Sequence, residues 1–351
     1  MGKFQVNMIG VMFLFTFGIA VGCSKKVEEP AGSITIKGAG STFVAPLFRK
    51  WFEEYHKQHP NVVVDYDVVG SGEGTKLFLE DKVDFGASDA ALTDEEIAIA
   101  SAKRGAVLIP VTAGSIVLAY SPEGLPAQLK LSRSVYADIF LGKITHWNDD
   151  RIAAINPGIT FPDRDIQVVA RNDSSGTTFA LTNHLSAVSE EWRKNRGVGK
   201  TMGWPNHVSR VNGNEGVAGQ ISLGVGMIGY VEYGTAKRAG LGMAWLENKA
   251  GNYIKPTGTS GLETLLQTKM PTNLVVFMPD PDGKDSYPIV TYSWLLLYEI
   301  YDDPKKLDAL KDMVRSCLDD GQQESESLGY IRLAPSVVSV ATHALGSISN
   351  R

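Results

Sequence analysis

The stretch Arg171-Asn172-Asp173-Ser174-Ser175-Gly176-Thr177-Thr178 limits what this chain can fold into more than any other. It follows a short apolar run, residues 166–170, that reads as a strand. It precedes residues 179–185, which read as a helix. A helix start leaves N–H groups without intrahelical acceptors and carries partial positive charge, so strand, Ser/Gly/Thr turn and helix together form a site for an anion. The hydroxyls of Ser175 and Thr177 add donors. Arg171 adds a full charge with a fork of N–H groups that matches a tetrahedral oxyanion, and Asp173, two residues on, is placed to fix that fork. An ordinary capped helix beside a solvated arginine has the same pattern, and this stretch alone does not separate the two.

Two more units of the same kind lie near the N-terminus. Residues 34–36 form a short strand, Gly38-Ala39-Gly40-Ser41-Thr42 a small-residue loop, and Phe43, Leu47, Trp51 and Tyr55 recur every four residues on one predicted helix face. Pro46 falls in that helix's first turn, where a missing N–H costs nothing. Residues 62–69 read as the next strand, followed by the loop Gly70-Ser71-Gly72-Glu73-Gly74-Thr75 and a helix over residues 76–80. Glu73 beside an anion site is unfavourable unless it faces solvent, which is the expectation. Residues 83–87 read as a buried strand with Asp89 just past its end, and Asp94-Glu95-Glu96 starts a helix with acids where the dipole prefers them.

Farther on, residues 106–120 suggest two short apolar strands, residues 131–140 a helix, and residues 217–223 another. A single helix is expected from the Arg171 turn through Trp192. Residues 289–292 and 294–298 look strand-like, and Asp303-Pro304 opens a long helix to Cys317. Strands alternating with helices imply an α/β fold with largely parallel sheets, and such folds place ligands at the C-terminal ends of strands. The three loops and Asp89 all occupy such positions, two loops early and one far downstream, which suits two lobes facing one cleft.

At 351 residues the chain is long enough for two domains and a sizeable core. Its formal net charge of −5 gives no support for nucleic acid or an anionic membrane surface as a partner, and aromatics are not interleaved with Lys and Arg. An anion site here must therefore draw selectivity from local N–H dipoles and an arginine rather than from the bulk field. Motifs for catalysis are poor. Gly86-Ala87-Ser88-Asp89-Ala90 narrowly misses the nucleophile elbow and has no identifiable histidine partner. Gly70 to Lys76 fails the P-loop spacing. His56 and His59 sit at the polar end of a helix as a solvated pair, and the other histidines are isolated, so no metal site is expected.

There are two cysteines. Cys23 closes a segment with Lys3 as its only charge and an apolar run over residues 8–21, too short to span a membrane comfortably and suited to a signal-peptide core. Ile19-Ala20-Val21-Gly22-Cys23 resembles a bacterial lipobox, which implies cleavage before Cys23 and its lipidation. Residues 24–33 are polar and read as a tether. Cys317 shares helical spacing with Leu310, Met313 and Val314, and is expected to be a buried thiol with no disulfide.

Five segments in order, Gly38-Ala39-Gly40-Ser41-Thr42-Phe43, residues 83–90, Leu141-Gly142-Lys143-Ile144 with Trp147-Asn148-Asp149, residues 171–179, and Gly229-Tyr230-Val231-Glu232-Tyr233, together resemble the phosphate-binding proteins of bacterial phosphate ABC transporters over about residues 33–345. The resemblance implies a two-lobed type II periplasmic-binding-protein fold with two hinge crossings, here near Ala119 and Val290, and a ligand cleft between lobes. The corresponding division is a signal peptide at 1–22, a tether at 23–32, one lobe from 33–118 with 290–351, and the other from 119–289. It also implies phosphate contacts at Thr42, Phe43 (through its backbone N–H), Ser71, Asp89, Arg171, Ser175, Gly176 and Thr177, with Asp173 orienting Arg171. Val44 replaces a frequent proline, and Ser71-Gly72-Glu73-Gly74 replaces a commoner double-serine, double-glycine loop. The implied protein is a monomeric, non-enzymatic binding subunit without cofactor. It is held at the periplasmic or cell-surface side of a membrane by its lipid alone and delivers inorganic phosphate to permease and ATPase subunits.

The chemistry is coherent on its own terms. Phosphate near neutral pH keeps a proton and sulfate does not, so a desolvated Asp89 carboxylate accepts a phosphate O–H but meets a sulfate oxygen with no hydrogen between. Unpaired buried groups of this kind give discrimination of roughly 10⁴–10⁵. The alternatives are another tetrahedral oxyanion, bound or sensed without transport, and a secreted phosphatase. The latter would need a metal cluster or activated nucleophile that the sequence does not display.

Overall fold

The structure is a computed structural model and describes residue 2 and residues 32–351. The expected signal peptide, lipobox and Cys23, and all but the end of the tether, lie outside the described residues. The first strands are β1 (Ile34–Gly40), β2 (Val62–Val68), β3 (Phe85–Ser88) and β4 (Val107–Tyr120), and the helices between them α1 (Ala45–Gln58), α2 (Ser71–Leu79) and α3 (Asp94–Ser101). Then come β5 (Lys130–Leu131), α4 (Arg133–Leu141), α5 (Asp150–Ile155), β6 (Gln167–Arg171), α6 (Gly176–Val188), α7 (Glu190–Asn195), β7 (Ser209–Val211), α8 (Gly213–Leu223), β8 (Met227–Glu232) and α9 (Tyr233–Arg238). The remainder is β9 (Gly242–Met243), β10 (Trp245–Glu247), β11 (Tyr253–Ile254), α10 (Gly258–Leu266), β12 (Val290–Leu297), β13 (Ile300–Tyr301), α11 (Pro304–Leu318), α12 (Gly321–Leu328), α13 (Pro335–Ser347) and β14 (Ser349–Asn350).

The main sheet runs in the order β2-β1-β3-β12-β4-β8-β6-β7. β1 is parallel to β2 and β3, β12 is antiparallel to β3 and β4, and β8 is antiparallel to β4 but parallel to β6. β4 belongs to both halves. It pairs with β12 over its first part, ending at Ser115↔Val290, and with β8 from Ile116↔Glu232 onward. The partner change therefore falls between Ser115 and Ile116, upstream of the Ala119 expected from the sequence. Because β8 runs against β4, its C-terminal Glu232 lies at this junction, and β6, parallel to β8, brings Arg171 toward the same junction. β1 and β3 run in the same sense as the first part of β4, so their C-terminal ends approach it from the other side. Opposed C-terminal ends give two lobes with a cleft between them.

Several local expectations change. β4 is one strand of 14 residues, Val107–Tyr120, not two short ones. Pro110 sits opposite Trp294 where the ladder shifts register between Ser293 and Trp294, so its missing N–H falls at an irregularity. The two strand-like runs near residue 290 are the single β12, which passes this irregularity without an extra residue because the unpaired one, Val111, is on β4. α2 begins at Ser71, so the supposed loop after Gly70 is already the first turn of a helix. The helix expected through Trp192 is two, because Ser189 ends α6 and its hydroxyl caps α7 by accepting from the Trp192 N–H.

Packing follows the predicted faces. Phe43, Leu47, Trp51 and Tyr55 are all buried, and Pro46 falls at the start of α1. Burying four such side chains stabilises the lobe by roughly 1.5–3 kcal/mol each before entropy is counted. α3 starts with the capping box Thr93–Glu96 behind its acids. Cys317 is buried on α11 with its sulfur 3.8 Å from that of Met313, and burial holds the thiol far above its ordinary range. Glu73 is half-exposed and paired with Lys76, facing solvent as expected.

Candidate anion-binding site

Asp89 follows β3 and is almost completely buried, at 1 % exposure. Three serines from three separate segments surround it. Ser41 Oγ donates to Asp89 at 2.7 and 2.8 Å, Ser293 Oγ at 2.8 Å, and Ser71 Oγ lies 3.4 Å from Oδ2. Burial lifts the carboxyl to about 6, and the hydroxyls of Ser41, Ser293 and Ser71, with the charge of Arg171, pull against that rise. Ser71 was expected from the sequence. Ser41 and Ser293 were not, since nothing in the local pattern at Ser293, 204 residues away, marks it as a partner.

The second lobe faces this carboxylate with the start of α6. Ser175 caps the helix, its Oγ accepting from the Thr178 N–H at 3.1 Å, while its own N–H donates to the Lys200 carbonyl. That leaves the Ser175 hydroxyl proton to give. Gly176 and Thr177 are the first helical residues and have no intrahelical acceptor for their N–H groups. Gly176 is needed for its size, since a Cβ there would lie 2.6 Å from Ser71 Oγ and 2.7 Å from Asp89 Oδ2. The helix start and the buried carboxylate are thus in near contact across the cleft.

Arg171, 3 % exposed, ends β6. Its Nε donates to Asp173 Oδ1 at 2.7 Å, its Nη2 to Asp173 Oδ2, and its Nη1 lies 3.4 Å from Thr177 Oγ1. Burial raises Asp173, but the Arg171 pair and the Gly213 N–H outweigh it and hold the carboxyl below its ordinary range. The expected orienting role of Asp173 therefore has its geometry. Gly70, at φ +92°, takes a backbone conformation that disfavours side chains, and a Cβ there would come within 2.6 Å of Asp173 Oδ2. Tyr230, unmarked by the sequence reading as a site residue, supports the strand end by accepting from the Arg171 N–H at 3.0 Å and bonding Thr178 Oγ1 at 2.7 Å.

The first loop behaves differently from its expectation in one respect. Thr42 reaches the second lobe, where its Oγ1 accepts from Asn214. The Phe43 N–H is 3.0 Å from Ser41 Oγ, so in this structure it faces a hydroxyl within its own loop. The lobes also meet where the Gly72 N–H donates to the Ser174 carbonyl at 2.9 Å, and where Lys200 pairs with Glu96 at 2.9 Å. Among the described residues there is no cluster of three or more His, Cys, Asp or Glu side chains arranged to hold a metal.

The arrangement is one buried acceptor opposed by an arginine, helix N–H groups and hydroxyl donors. It suits a small oxyanion that retains a proton. A PBP superfamily domain matches residues 26–315. The chain is 38% identical over 306 residues to the Phosphate-binding protein PstS of Pasteurella multocida, covering 87% of this chain and 88% of that one. It is 35% identical over 342 residues to the Phosphate-binding protein PstS of Methanocaldococcus jannaschii, covering 92% and 88%. A phosphate-bound high-affinity periplasmic phosphate-binding protein, PfluDING, superimposes with a TM-score of 0.72 at 21% identity, covering 88% and 93%. The phosphate binding protein of Stenotrophomonas maltophilia gives 0.71 at 20%, covering 89% and 94%. These two likenesses establish the fold. Two lobes, a shared β4 and sequence identity over nearly the whole chain place this protein in the PBP superfamily, among the PstS phosphate-binding proteins.

Proposed function

We propose that the chain binds inorganic phosphate between its lobes and delivers it to the membrane permease of a phosphate ABC transporter. The observation that carries this reading is the approach of the α6 start to the buried Asp89, with the charge of Arg171 acting on the same carboxylate. An acceptor inside a set of donors selects an anion that still has a proton to give. In this reading Thr42, Ser71, Arg171, Ser175, Gly176 and Thr177 donate, Asp89 accepts, and the Phe43 N–H turns from Ser41 to the ligand. Asp173 keeps Arg171 in place and prevents the site from being a plain positive charge.

Binding without turnover fits the fate of the one near-miss nucleophile. Ser88 Oγ donates to the Ala90 carbonyl at 2.6 Å and accepts from its N–H, so the hydroxyl is engaged in its own turn. The lobes divide where β4 changes partner and near Val290. No helix among the described residues is long and apolar enough to cross a membrane. Attachment through a lipid on Cys23, at the periplasmic or cell-surface side, completes the proposal, with the chain acting as a single binding subunit beside permease and ATPase subunits. Titration calorimetry with phosphate and with sulfate tests the central statement. Heat with phosphate and little with sulfate is expected, and equal affinities would refute it. Mass spectrometry of the mature N-terminus tests the anchor.

A further inference from the structure

Asn214 opens α8 just after Gly213 and is completely buried. Its side-chain orientation is settled by a group that can only donate, because Oδ1 accepts from the Glu232 N–H at 3.0 Å. Nδ2 therefore faces the other way, 3.0 Å from Thr42 Oγ1 and 3.2 Å from Thr177 Oγ1. Each hydroxyl receives a second N–H as well. Thr42 Oγ1 accepts from the Asn214 backbone N–H at 3.2 Å, and Thr177 Oγ1 lies 3.4 Å from Arg171 Nη1.

A hydroxyl has two lone pairs and one proton. With both lone pairs engaged by N–H groups, only the proton remains. Neither hydroxyl gives that proton to a protein acceptor among the described residues. We propose that Asn214 is a positioning residue, which commits the Thr42 and Thr177 hydroxyls to act only as donors to the bound anion. The proposal rests on the phosphate-binding reading above. It divides the anion's oxygens into two kinds. The protonated oxygen goes to Asp89, and unprotonated oxygens go to hydroxyls that have no capacity left to accept. A hydroxyl free to rotate would serve either kind, so fixing these two adds to selectivity as well as strength.

The device also depends on closure. Thr42 belongs to the first lobe, while Asn214 and Thr177 belong to the second. Thr42 acquires its two N–H partners only when the lobes meet, so its donor role is set at the moment of enclosure.

A double-mutant cycle on the full chain, read by phosphate titration, tests this. N214A is expected to weaken phosphate binding about 10- to 100-fold, the cost of freeing two hydroxyl donors to a charged group from their fixed orientation. In T42V and in T177V backgrounds the same change should cost at least about threefold less, because one of its two routes is already gone. If N214A does not fold by circular dichroism, N214D replaces it, since the carboxylate keeps the acceptor for the Glu232 N–H and loses both donors. Repulsion from its new charge would be felt equally in the valine backgrounds, so the shortfall still reports the threonine route. Unchanged phosphate affinity, or a cost that is the same in all three backgrounds, would overturn the proposal while leaving phosphate binding intact. Absence of phosphate binding by the unaltered chain would overturn both.

Discussion

Replacing Asp89 with Asn should stabilise the unliganded protein at neutral pH while removing its ability to tell phosphate from sulfate. In the fold, burial lifts this carboxyl to about 6 from an ordinary value of 3.8. The ionised form is the disfavoured one, so the stability associated with this group is fully present below about pH 4, declines as pH rises through 6, and is flat above. Each tenfold change in a protonation equilibrium is 1.36 kcal/mol, and about two such factors give a cost of about 3 kcal/mol at pH 7. The amide recovers that cost but gives up one acceptor for the hydroxyls of Ser41 and Ser293, worth about 1 kcal/mol. The net gain is about 2 kcal/mol at pH 7 and falls to zero or reverses at pH 4. Urea denaturation of both proteins without phosphate, at intervals from pH 4 to 8, measures it. Other titrating groups are common to both and cancel. A D89N protein that is less stable at pH 7, or a difference that does not vary with pH, would refute the reasoning. In parallel, phosphate affinity of the unaltered protein should fall as pH drops through 6, and D89N should bind sulfate and phosphate alike.

Three other perturbations are expected to act as follows. G176A should weaken phosphate binding about 10- to 100-fold by titration, because its methyl meets Asp89 and Ser71 across the cleft, yet the unfolding temperature without phosphate should shift by no more than about 2 °C. K200A removes the pair with Glu96 that joins the lobes and should speed phosphate release by up to about fivefold in stopped flow, an effect that high salt reproduces in the unaltered protein. Glu232 caps α9 from a fully buried position, accepting from the Gly234 and Thr235 N–H groups, and burial lifts it to about 7. Stability associated with it therefore declines between about pH 5 and 7, so E232Q should flatten the stability profile over that window, and parallel profiles for the two proteins would refute the assignment.

The parts of this molecule written in short sequence windows were legible, and those created by long-range register were not. Arg171 and Asp173 lie two residues apart, and the pair forms as their spacing suggests. Asp89 follows its strand, and the α1 face is buried where the four-residue spacing puts it. Ser293 reaches Asp89 only because β12 lies beside β3, with Trp294 opposite Ser88, and no window of sequence contains that fact. Asn214 likewise has no local marker, and it gains its role only because α8 packs against β6 and β8 and brings it to the Glu232 N–H. Ser41 sits beside Thr42 and Phe43 in the first loop, and its link to Asp89 spans 48 residues, outside any local window. Residues 106–120 read as two runs for a related reason, since Pro110 is tolerated within β4 only because the register shifts beside it, with Val111 the extra residue, and that shift is defined by the pairing with β12.

The passage of β4 through both lobes has a consequence for the chain's tolerance of length changes. Side chains alternate faces along a strand with a period of two, and that alternation continues from Ser115 to Ile116 without a reset. One residue inserted at that step would leave the first lobe's facing intact and invert every later position, turning Val117 and Ala119 to the side now held by Ile116 and Leu118. Two inserted residues would restore the facing but move Glu232 out of line with the junction. The two lobes are thus kept in phase by the count of residues along one strand, whatever the loops around them do.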